Sequence, residues 1–356
     1  MPRIAFLLSV ILLLSGASCS DISVGRPVHE EVNGVYYWKT NFTLDDENLS
    51  QLRDHDIGRI YLRMFDVVEN EEARGINHIH KSIPNASVTF GWNGHRWLDS
   101  IVGTEFVPVV YITLEALRAE QGKEGALAEK ILTRVRNMCW YNRLHSVREL
   151  QLDCDWTATT ETSFFALCDS VRSLMARMEQ PWRLSSTIRL HQLARQAPPV
   201  DCGVLMVYNT GNFNDPDEAN SIISEANVAP YLRNLRDYPL HLDVAYPTYS
   251  WQLLFRHRQF MGLMNYGELD DTTRFENLGG GRFKAHRAVP YKDKVILPGD
   301  IIRRETSAYA EIMRVKTLIE RELDGRPHSN ILYHLDSANL SEYTSDELDN
   351  IFAQHP

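Results

Sequence analysis

The sequence has few cysteines, and none of them forms a C-x-x-C pair. Apart from Cys19 near the start, they are Cys139, Cys154, Cys168 and Cys202. Structural zinc sites use closely spaced cysteine pairs, so this spacing argues against such a site. Oxidation after export could join Cys154 to Cys168, but buried free thiols are the favoured interpretation.

The sequence also lacks a Lys/Arg-rich stretch interleaved with aromatic residues. It carries 37 Lys and Arg against 47 Asp and Glu, which gives a formal net charge of −10. Because nucleic-acid-binding domains carry a basic surface, no nucleic acid is expected as a partner. Internal repeats and low-complexity segments are absent as well, and no cofactor is expected.

A short apolar run near the N-terminus predicts export. Residues Ile4–Leu14 are apolar and are followed by the small residues Ser15–Ser18, a pattern typical of a secretory signal peptide and too short for a transmembrane helix. A cysteine directly after small residues resembles the signal of a bacterial lipoprotein, in which Cys19 becomes the lipidated first residue. Such signals usually carry Leu at the position of Gly16, and ordinary signal-peptide cleavage nearby is the alternative.

These features set the predicted domain organisation. Residues 1–18 are the expected signal peptide, residues 19–33 a polar tether, and residues 34–356 a single domain. We expect a lipoprotein of the bacterial cell envelope, either periplasmic or on the outer-membrane surface. It would contact the membrane through its lipid anchor only, and it is expected to be a monomer.

Eight predicted strands, mostly separated by helices, favour an α/β fold of the (β/α)8 TIM-barrel type. A doubly wound open sheet is the alternative, but no Gly-rich phosphate loop follows the first strand. An insertion is expected at residues 252–300, over the cleft end of strand seven. Helices are predicted over Ile222–Arg236, with a break at Pro230, and over Thr306–Leu323. The predicted strands are Val35–Trp38, Arg59–Asp66, Phe106–Ile112, Arg148–Thr157, Arg183–Leu190, Asp201–Tyr208, Leu240–Tyr246 and Asn330–Leu335.

The fourth predicted strand ends in an acidic pair. Successive residues of a strand alternate between its two faces, so Leu152, Cys154 and Trp156 share one face, and Asp153 and Asp155 share the other. Adjacent carboxylates repel each other in a low-dielectric interior, which makes such a pair more typical of an active site than of a core. Capping of the next helix and binding of a divalent cation are the alternatives.

In a TIM barrel, functional residues lie at the C-terminal ends of the strands. Acids and many aromatic residues occur there in this sequence, and this composition is typical of a sugar-binding cleft, since aromatic rings stack on sugars and carboxylates perform acid–base chemistry. Each aromatic residue taken singly is better explained by core or rim packing, and only the cluster favours a function. The expected substrate-binding residues are Trp38, Asp66, Asn209, Tyr246, Tyr249, Trp251 and His334.

Two strand motifs resemble those of glycoside hydrolase family 18, which contains chitinases and endo-β-N-acetylglucosaminidases. The family's D-x-x-D-x-D-x-E motif on strand four corresponds to Leu150-Gln-Leu-Asp153-Cys-Asp155-Trp-Thr157, and its M-x-Y-D motif on strand six corresponds to Met206-Val-Tyr208-Asn209. This resemblance implies that Asp155 holds the substrate's N-acetyl group while that group acts as the nucleophile. It also implies that Tyr208 supports the same step and that Asp153 sets the charge state of Asp155.

Departures from the family's motifs leave the activity open. Leu150 replaces the first Asp, Thr157 replaces the Glu that protonates the leaving oxygen, and Asn209 replaces the Asp after the Tyr. A hydroxyl is a poor proton donor near neutral pH, and loss of a general acid typically costs about 10²–10⁴ in rate. Glu115 or Glu161 could replace the missing acid, although Glu161 also suits the first turn of a helix.

Three functions are therefore kept open. The first is a glycosidase that acts on N-acetylglucosamine-containing glycans. The second is a non-catalytic protein of the same fold that binds such glycans. The third is a metal-dependent hydrolase that uses Asp153 and Asp155. An oligosaccharide is the expected partner in the first two cases.

Overall fold

The structure is a computed structural model that describes residues 30–73, 81–91, 98–292 and 294–354. The predicted signal peptide, Cys19 and most of the predicted tether lie outside the described residues. Within the described ranges, no helix has both the length and the apolar character needed to cross a bilayer.

Eight parallel strands form a closed barrel, which confirms the predicted TIM-barrel fold. The first strand pairs with both the second and the eighth, and this pairing closes the sheet. A short strand, Ser82–Asn85, adds to the second strand in antiparallel orientation. The barrel strands are β1 (Asn33–Tyr37), β2 (Ile57–Glu69), β3 (Glu105–Ile112), β4 (Glu149–Asp153), β5 (Arg183–Arg189), β6 (Cys202–Met206), β7 (Leu242–Pro247) and β8 (Asn330–Tyr333).

Helices connect most of the strands on the outside of the barrel. The predicted break at Pro230 is wrong, because the helix continues through this residue and ends at Leu232. The helices are α1 (Asp46–Asp54), α2 (Leu114–Ala119), α3 (Glu124–Tyr141), α4 (Glu161–Met175), α5 (Glu225–Leu232), α6 (Tyr309–Leu323), α7 (Ser337–Leu340) and α8 (Ser345–Phe352), with 3-10 turns at Glu71–Ala73 and Leu190–Ala194.

Side chains of β4, which ends at Asp153 and not at Thr157 as predicted, and of the residues that follow it alternate between the helix layer and the barrel interior. Leu152, Cys154 and Trp156 lie in the large apolar cluster under the helices, as predicted. Gln151 faces the interior, where its Oε1 accepts a hydrogen bond of 2.7 Å from the Tyr36 hydroxyl. The four described cysteines, among them Cys154, are buried and free, which confirms the interpretation as buried thiols.

Buried ion pairs fill the N-terminal end of the barrel interior. Arg59 Nε donates to Glu105 Oε2 at 2.9 Å, and Arg183 Nε donates to Glu149 Oε2 at 3.0 Å. These four residues lie at or near the starts of β2, β3, β5 and β4. Because buried charges are tolerated only when they are paired, this network fixes the strands at the end opposite to the acidic pair.

The segment between β7 and α6 folds as a small antiparallel sheet. It includes Ile301–Thr306, so Thr306 ends a strand rather than beginning the helix predicted there. Contacts such as that from Arg282 Nη2 to the Glu218 carbonyl oxygen, at 2.8 Å, join the sheet to the loop after β6. The sheet therefore lies beside the C-terminal ends of β6 and β7. Its strands are Ser250–Arg256, Gln259–Met264, Phe275–Gly279, Arg282–Ala285 and Ile301–Thr306, and Val289–Tyr291 pairs separately with Lys294–Ile296.

Two tryptophans allow a direct test of this packing. Trp156 is completely buried and stacks on Phe164 with 6.2 Å between ring centroids, whereas Trp140 is 73% exposed. We expect Trp156→Ala to lower the free energy of unfolding by about 3–5 kcal/mol, because it leaves a cavity, and Trp140→Ala to change it by less than about 0.5 kcal/mol. Urea unfolding of the full chain measures both values. Equal losses would contradict the described core.

Candidate functional site

The acidic pair lies at the C-terminal end of β4. Asp153 is the last residue of the strand and is almost completely buried, whereas the side chain of Asp155 is 45% exposed. Thr187 Oγ1, on the neighbouring strand β5, donates a hydrogen bond of 2.6 Å to Asp153 Oδ1. One carboxylate is therefore held inside the barrel and the other reaches its mouth.

Arg189, the last residue of β5, bonds to both carboxylates. Its Nη2 lies 3.3 Å from Asp153 Oδ1, and its Nε donates a charge-assisted hydrogen bond to Asp155 Oδ1. The guanidinium carbon also lies 5.6 Å from the centre of the Tyr208 ring, within the range of a cation–π contact. A single cation thus connects the ends of β4, β5 and β6.

Burial dominates the electrostatics of this cluster. It raises the pKa of Asp153, whereas the charge of Arg189 and the hydrogen bond from Thr187 oppose the rise. Burial alone would lower the pKa of Arg189, but the nearby Asp153, Tyr208 and Asp155 raise it well above its usual value. Arg189 therefore stays positively charged. Burial also raises the pKa of the Tyr208 hydroxyl, which stays protonated.

A buried glutamine fixes Arg189 relative to the chain after β4. Gln192 Oε1 accepts a hydrogen bond of 2.8 Å from the Arg189 backbone N–H, and Gln192 Nε2 donates one of 2.9 Å to the Trp156 carbonyl oxygen. Gln192 is completely buried. Because both partners are main-chain atoms, Gln192 sets the separation between Arg189 and the segment that carries Asp155.

Tyr208 and Asn209 follow β6, as the second motif predicts. Asn209 has a φ of 53°, a left-handed conformation in which asparagine is enriched. Its Oδ1 accepts a hydrogen bond of 2.6 Å from the Tyr249 hydroxyl. Asn209 therefore places a neutral amide where the family's motif has an aspartate, and this amide holds the ring of Tyr249 through a hydrogen bond.

A continuous row of aromatic rings crosses the mouth of the barrel. Tyr333, at the end of β8, is its centre: it stacks on Tyr208 with 4.3 Å between centroids and lies 5.7 Å from Trp38 and 5.9 Å from Tyr249. Trp251 extends the row, 5.5 Å from Tyr249. The structure thus brings together the predicted residues Trp38, Tyr208, Tyr249 and Trp251.

A cavity of about 330 Å³ opens beside the acidic pair. Apart from Asp155, no acidic side chain lines it within the described part of the chain, and Arg189 and His191 are its basic residues. The acidic side chain of Asp155 is therefore balanced by Arg189, and the cavity is not strongly acidic. Its other lining residues are Leu190, Met206, Tyr208, Asn209, Thr210, Phe213 and Tyr231.

Neither glutamate considered as a replacement acid contacts the acidic pair through any interaction found among the described residues. Glu161 is the first residue of α4 and lies 3.6 Å from Arg195. Glu115 lies in the first turn of α2 and is 3.8 Å from Arg118. Thr157 faces the chain that leads into α4, where its Oγ1 lies 3.1 Å from Thr159 Oγ1.

The remaining predicted residues lie in different environments. Asp66 forms an ion pair with Arg63, whose guanidinium lies 5.3 Å from the Trp38 ring centre. His334 directly follows Tyr333, and burial lowers its pKa. Tyr246 is completely buried in the cluster under the helices and does not join the aromatic row.

Helix capping and binding of a divalent cation, the two alternative explanations of the acidic pair, find little support in the geometry. Thr160 is the N-cap of α4, so neither aspartate caps this helix. Across the described ranges, no group of three or more His, Cys, Asp or Glu side chains is arranged to hold a metal ion. Arg189 is bonded to both Asp153 and Asp155, so a metal ion would have to displace this cation.

Arg189 is among the residues that the sequence places at the strand ends, but no role is predicted for it, and Tyr333 is left out of the prediction. Both lie at the C-terminal end of a barrel strand, so the rule that locates Asp153 also places them at the mouth. Their pairing is not visible in the sequence, because it depends on which strands are neighbours and on side-chain direction. Alternation along β5, where Thr187 and Arg189 share a face, is the signal that points Arg189 inward.

Comparisons with known proteins give a fold relationship only. No model of a protein family matches the chain, and no curated protein matches it in sequence. Solved structures do match. The spore cortex-lytic enzyme SleL of Bacillus cereus is similar over 92% of this chain and 75% of that chain, with 11% identity and a TM-score of 0.54.

Two chitinases show the same relationship. One, from Chromobacterium violaceum, is similar over 88% of this chain and 98% of that chain, with 11% identity and a TM-score of 0.53. The other is a mutant glycoside hydrolase family 18 chitinase from Cycas revoluta in complex with (GlcNAc)4. It is similar over 90% of this chain and 98% of that chain, with 8% identity and a TM-score of 0.52. The chain therefore has a barrel fold like that of these chitinases.

The raised pKa of Asp153 predicts a pH effect on stability. Above the usual Asp pKa of about 3.9, the native state holds the Asp153 proton more tightly than the unfolded state, so this residue's contribution to stability falls as the pH rises. Asparagine does not titrate. We expect the free energy of unfolding of Asp153→Asn, relative to wild type, to increase from pH 4 to pH 7 in urea-unfolding experiments. A relative stability that decreases over this interval would contradict the assigned electrostatics.

Proposed function

We propose that the chain is an exported barrel that binds N-acetylglucosamine-containing oligosaccharides without hydrolysing them. The observation that carries this proposal is the bond of Arg189 to both Asp155 and Asp153. In the family that the motifs resemble, the aspartate at the position of Asp155 holds the substrate's N-acetyl group. Here that carboxylate already has a partner, so a ligand would have to compete with Arg189 for it.

The lack of a proton donor supports the same proposal. Thr157 occupies the position of the general acid, and Glu115 and Glu161 pair with Arg118 and Arg195. A general acid must lie within about 2.6–3.2 Å of the oxygen that it protonates. Asp155 is the one carboxylate that lines the described cavity, and it is bound to a cation.

The aromatic row supports recognition of a sugar. Rings of Trp38, Tyr333 and Tyr249 offer flat apolar surfaces beside polar groups at the mouth. Asn209, Thr210 and His191 line the adjoining cavity and can exchange hydrogen bonds with hydroxyl or amide groups. A mostly apolar surface with a few oriented polar groups is the usual composition of a ligand site.

A hydrolase of altered mechanism is the second candidate. Two observations favour it: the Asp155 side chain is 45% exposed toward the mouth, and burial raises the pKa of Asp153. In this case the substrate would displace Arg189, and Asp155 would become available. Release of reducing sugar that disappears in Asp155→Asn would establish this candidate.

Attachment to the envelope is a further part of the proposal. The apolar run before Cys19 supports a lipoprotein signal, with the soluble barrel held by a lipid anchor. We expect wild-type chain expressed in a bacterium to incorporate labelled palmitate and Cys19→Ala to lose the label. Equal labelling of both chains would contradict lipidation at this residue.

Binding without turnover is the expected result with chitotetraose. Titration calorimetry of the full chain should detect binding, and chromatography after long incubation should recover the intact sugar. Trp38→Ala should weaken binding about two- to tenfold, because an aromatic contact is worth about 0.5–1.5 kcal/mol. Trp140→Ala, at the other end of the barrel, should leave binding unchanged. Shorter products would contradict the proposal, and so would an affinity that Trp38→Ala does not change.

A further inference from the structure

The N-terminal end of the barrel carries an exposed aromatic pair. Trp140 and Tyr141 end α3, are each 73% exposed, and form an edge-to-face pair with 5.0 Å between centroids. Val102, in the connection before β3, is 86% exposed. These are the three most exposed large apolar side chains of the described ranges. Clustered exposed apolar side chains mark a candidate interaction surface.

The aromatic pair and Val102 belong to one surface. A groove of about 680 Å³ is lined by Trp140, Tyr141, Arg143 and His145. A second groove, of about 500 Å³, shares Arg143 and His145 and extends to Val102. We call the residues of these two grooves, with Arg136 and Arg148, the basal surface.

The basal surface is basic, although the chain as a whole is acidic. Residues 130–148 contain five Lys and Arg and no Asp or Glu, in a chain with a net charge of −10. Arg136, Arg143 and Arg148 are exposed, and none of them forms a salt bridge with another described residue. Asp99 is the one acid among the described residues that line the grooves. The basal surface is thus positively charged, whereas the chain as a whole is negatively charged.

The chain also enters the barrel at this end. The Glu30 carbonyl oxygen accepts a hydrogen bond of 3.0 Å from Arg59 Nη2, and Arg59 in turn pairs with Glu105 at the start of β3. One residue before Glu105, the Thr104 carbonyl oxygen accepts a hydrogen bond of 2.9 Å from Ser146 Oγ, which lines the basal surface. Glu30, the first described residue, therefore lies on the same side of the barrel as the basal surface.

We propose that the basal surface docks on an anionic phospholipid membrane. Trp and Tyr favour the interface between lipid headgroups and water, and exposed arginines near the surface attract anionic lipids, each strengthening the attachment several-fold. In this arrangement the barrel contacts the membrane directly and is oriented by that contact, instead of being attached through a lipid anchor alone. The C-terminal ends of the strands, with the aromatic row, then face away from the bilayer.

This inference does not rest on the glycan proposal, since the two sites are at opposite ends of the barrel. It also does not need lipidation of Cys19, because the residues of the basal surface supply their own apolar and charged contacts. The experiment distinguishes docking on a membrane from binding to a partner of another class, such as a second copy of the chain.

Quenching of tryptophan fluorescence by brominated lipids tests the contact directly. The full chain is bound to vesicles of brominated phosphatidylcholine with an equal amount of phosphatidylglycerol, and its quenching is compared with that of Trp140→Phe. The matched control is Trp38→Phe, which removes a tryptophan from the opposite end of the barrel. Since only lipid-contacting tryptophans are quenched, the result does not depend on how residues 1–29 bind.

We expect Trp140→Phe to remove at least half of the quenching and Trp38→Phe to remove none. The double variant Arg136→Glu/Arg143→Glu should reduce quenching as strongly as Trp140→Phe, and vesicles without phosphatidylglycerol should reproduce this loss in wild type. Quenching that is equal in wild type and Trp140→Phe would overturn the proposal. So would self-association in sedimentation velocity that Trp140→Phe abolishes, because that result would assign the surface to a second copy.

Discussion

The function proposed for this barrel depends on one partly buried ion-pair cluster, which joins Arg189 to Asp153 and Asp155. Two carboxylates at and just beyond the end of a strand repel each other, and burial of Asp153 adds a desolvation cost. Arg189 compensates both effects, since it reaches each carboxylate from the next strand. The compensation has a chemical consequence: the carboxylate at the mouth is bound within the protein before any ligand arrives.

Other features of the site follow from this pair. Gln192 holds the backbone of Arg189 and that of Trp156 at a fixed separation, so the cation stays aligned with the acids. Tyr208 lies over the guanidinium and stacks on Tyr333, the centre of the aromatic row. The mouth of the barrel is therefore an aromatic surface beside an acidic pair that is bound to Arg189. Such a surface suits recognition better than it suits proton transfer.

Much of this arrangement could be predicted from single residues and their spacing. The alternation in β4 placed Trp156 under the helices and the acids on the opposite face, and the strand-end rule located most of the aromatic row. Tyr246 shows the limit of that rule: it shares a strand face with Leu242 and Val244, so it points to the helices although it lies at a strand end. Thr306 fits a helical pattern, but pairing with Ser250 makes it a strand. Interactions between distant segments, such as the bond of Arg189 to Asp155, depend on topology and side-chain direction, which local patterns do not contain.

The most direct measurement is a crystal structure of the full chain with chitotetraose bound. It gives the distance from each carboxylate to the glycosidic oxygen and the position of Arg189. We expect sugar stacked on the aromatic row, Arg189 still bonded to Asp153 and Asp155, and no carboxylate within about 3.2 Å of the glycosidic oxygen. A structure in which Arg189 has left the pair and a Glu or Asp lies within hydrogen-bond reach of that oxygen would contradict the account.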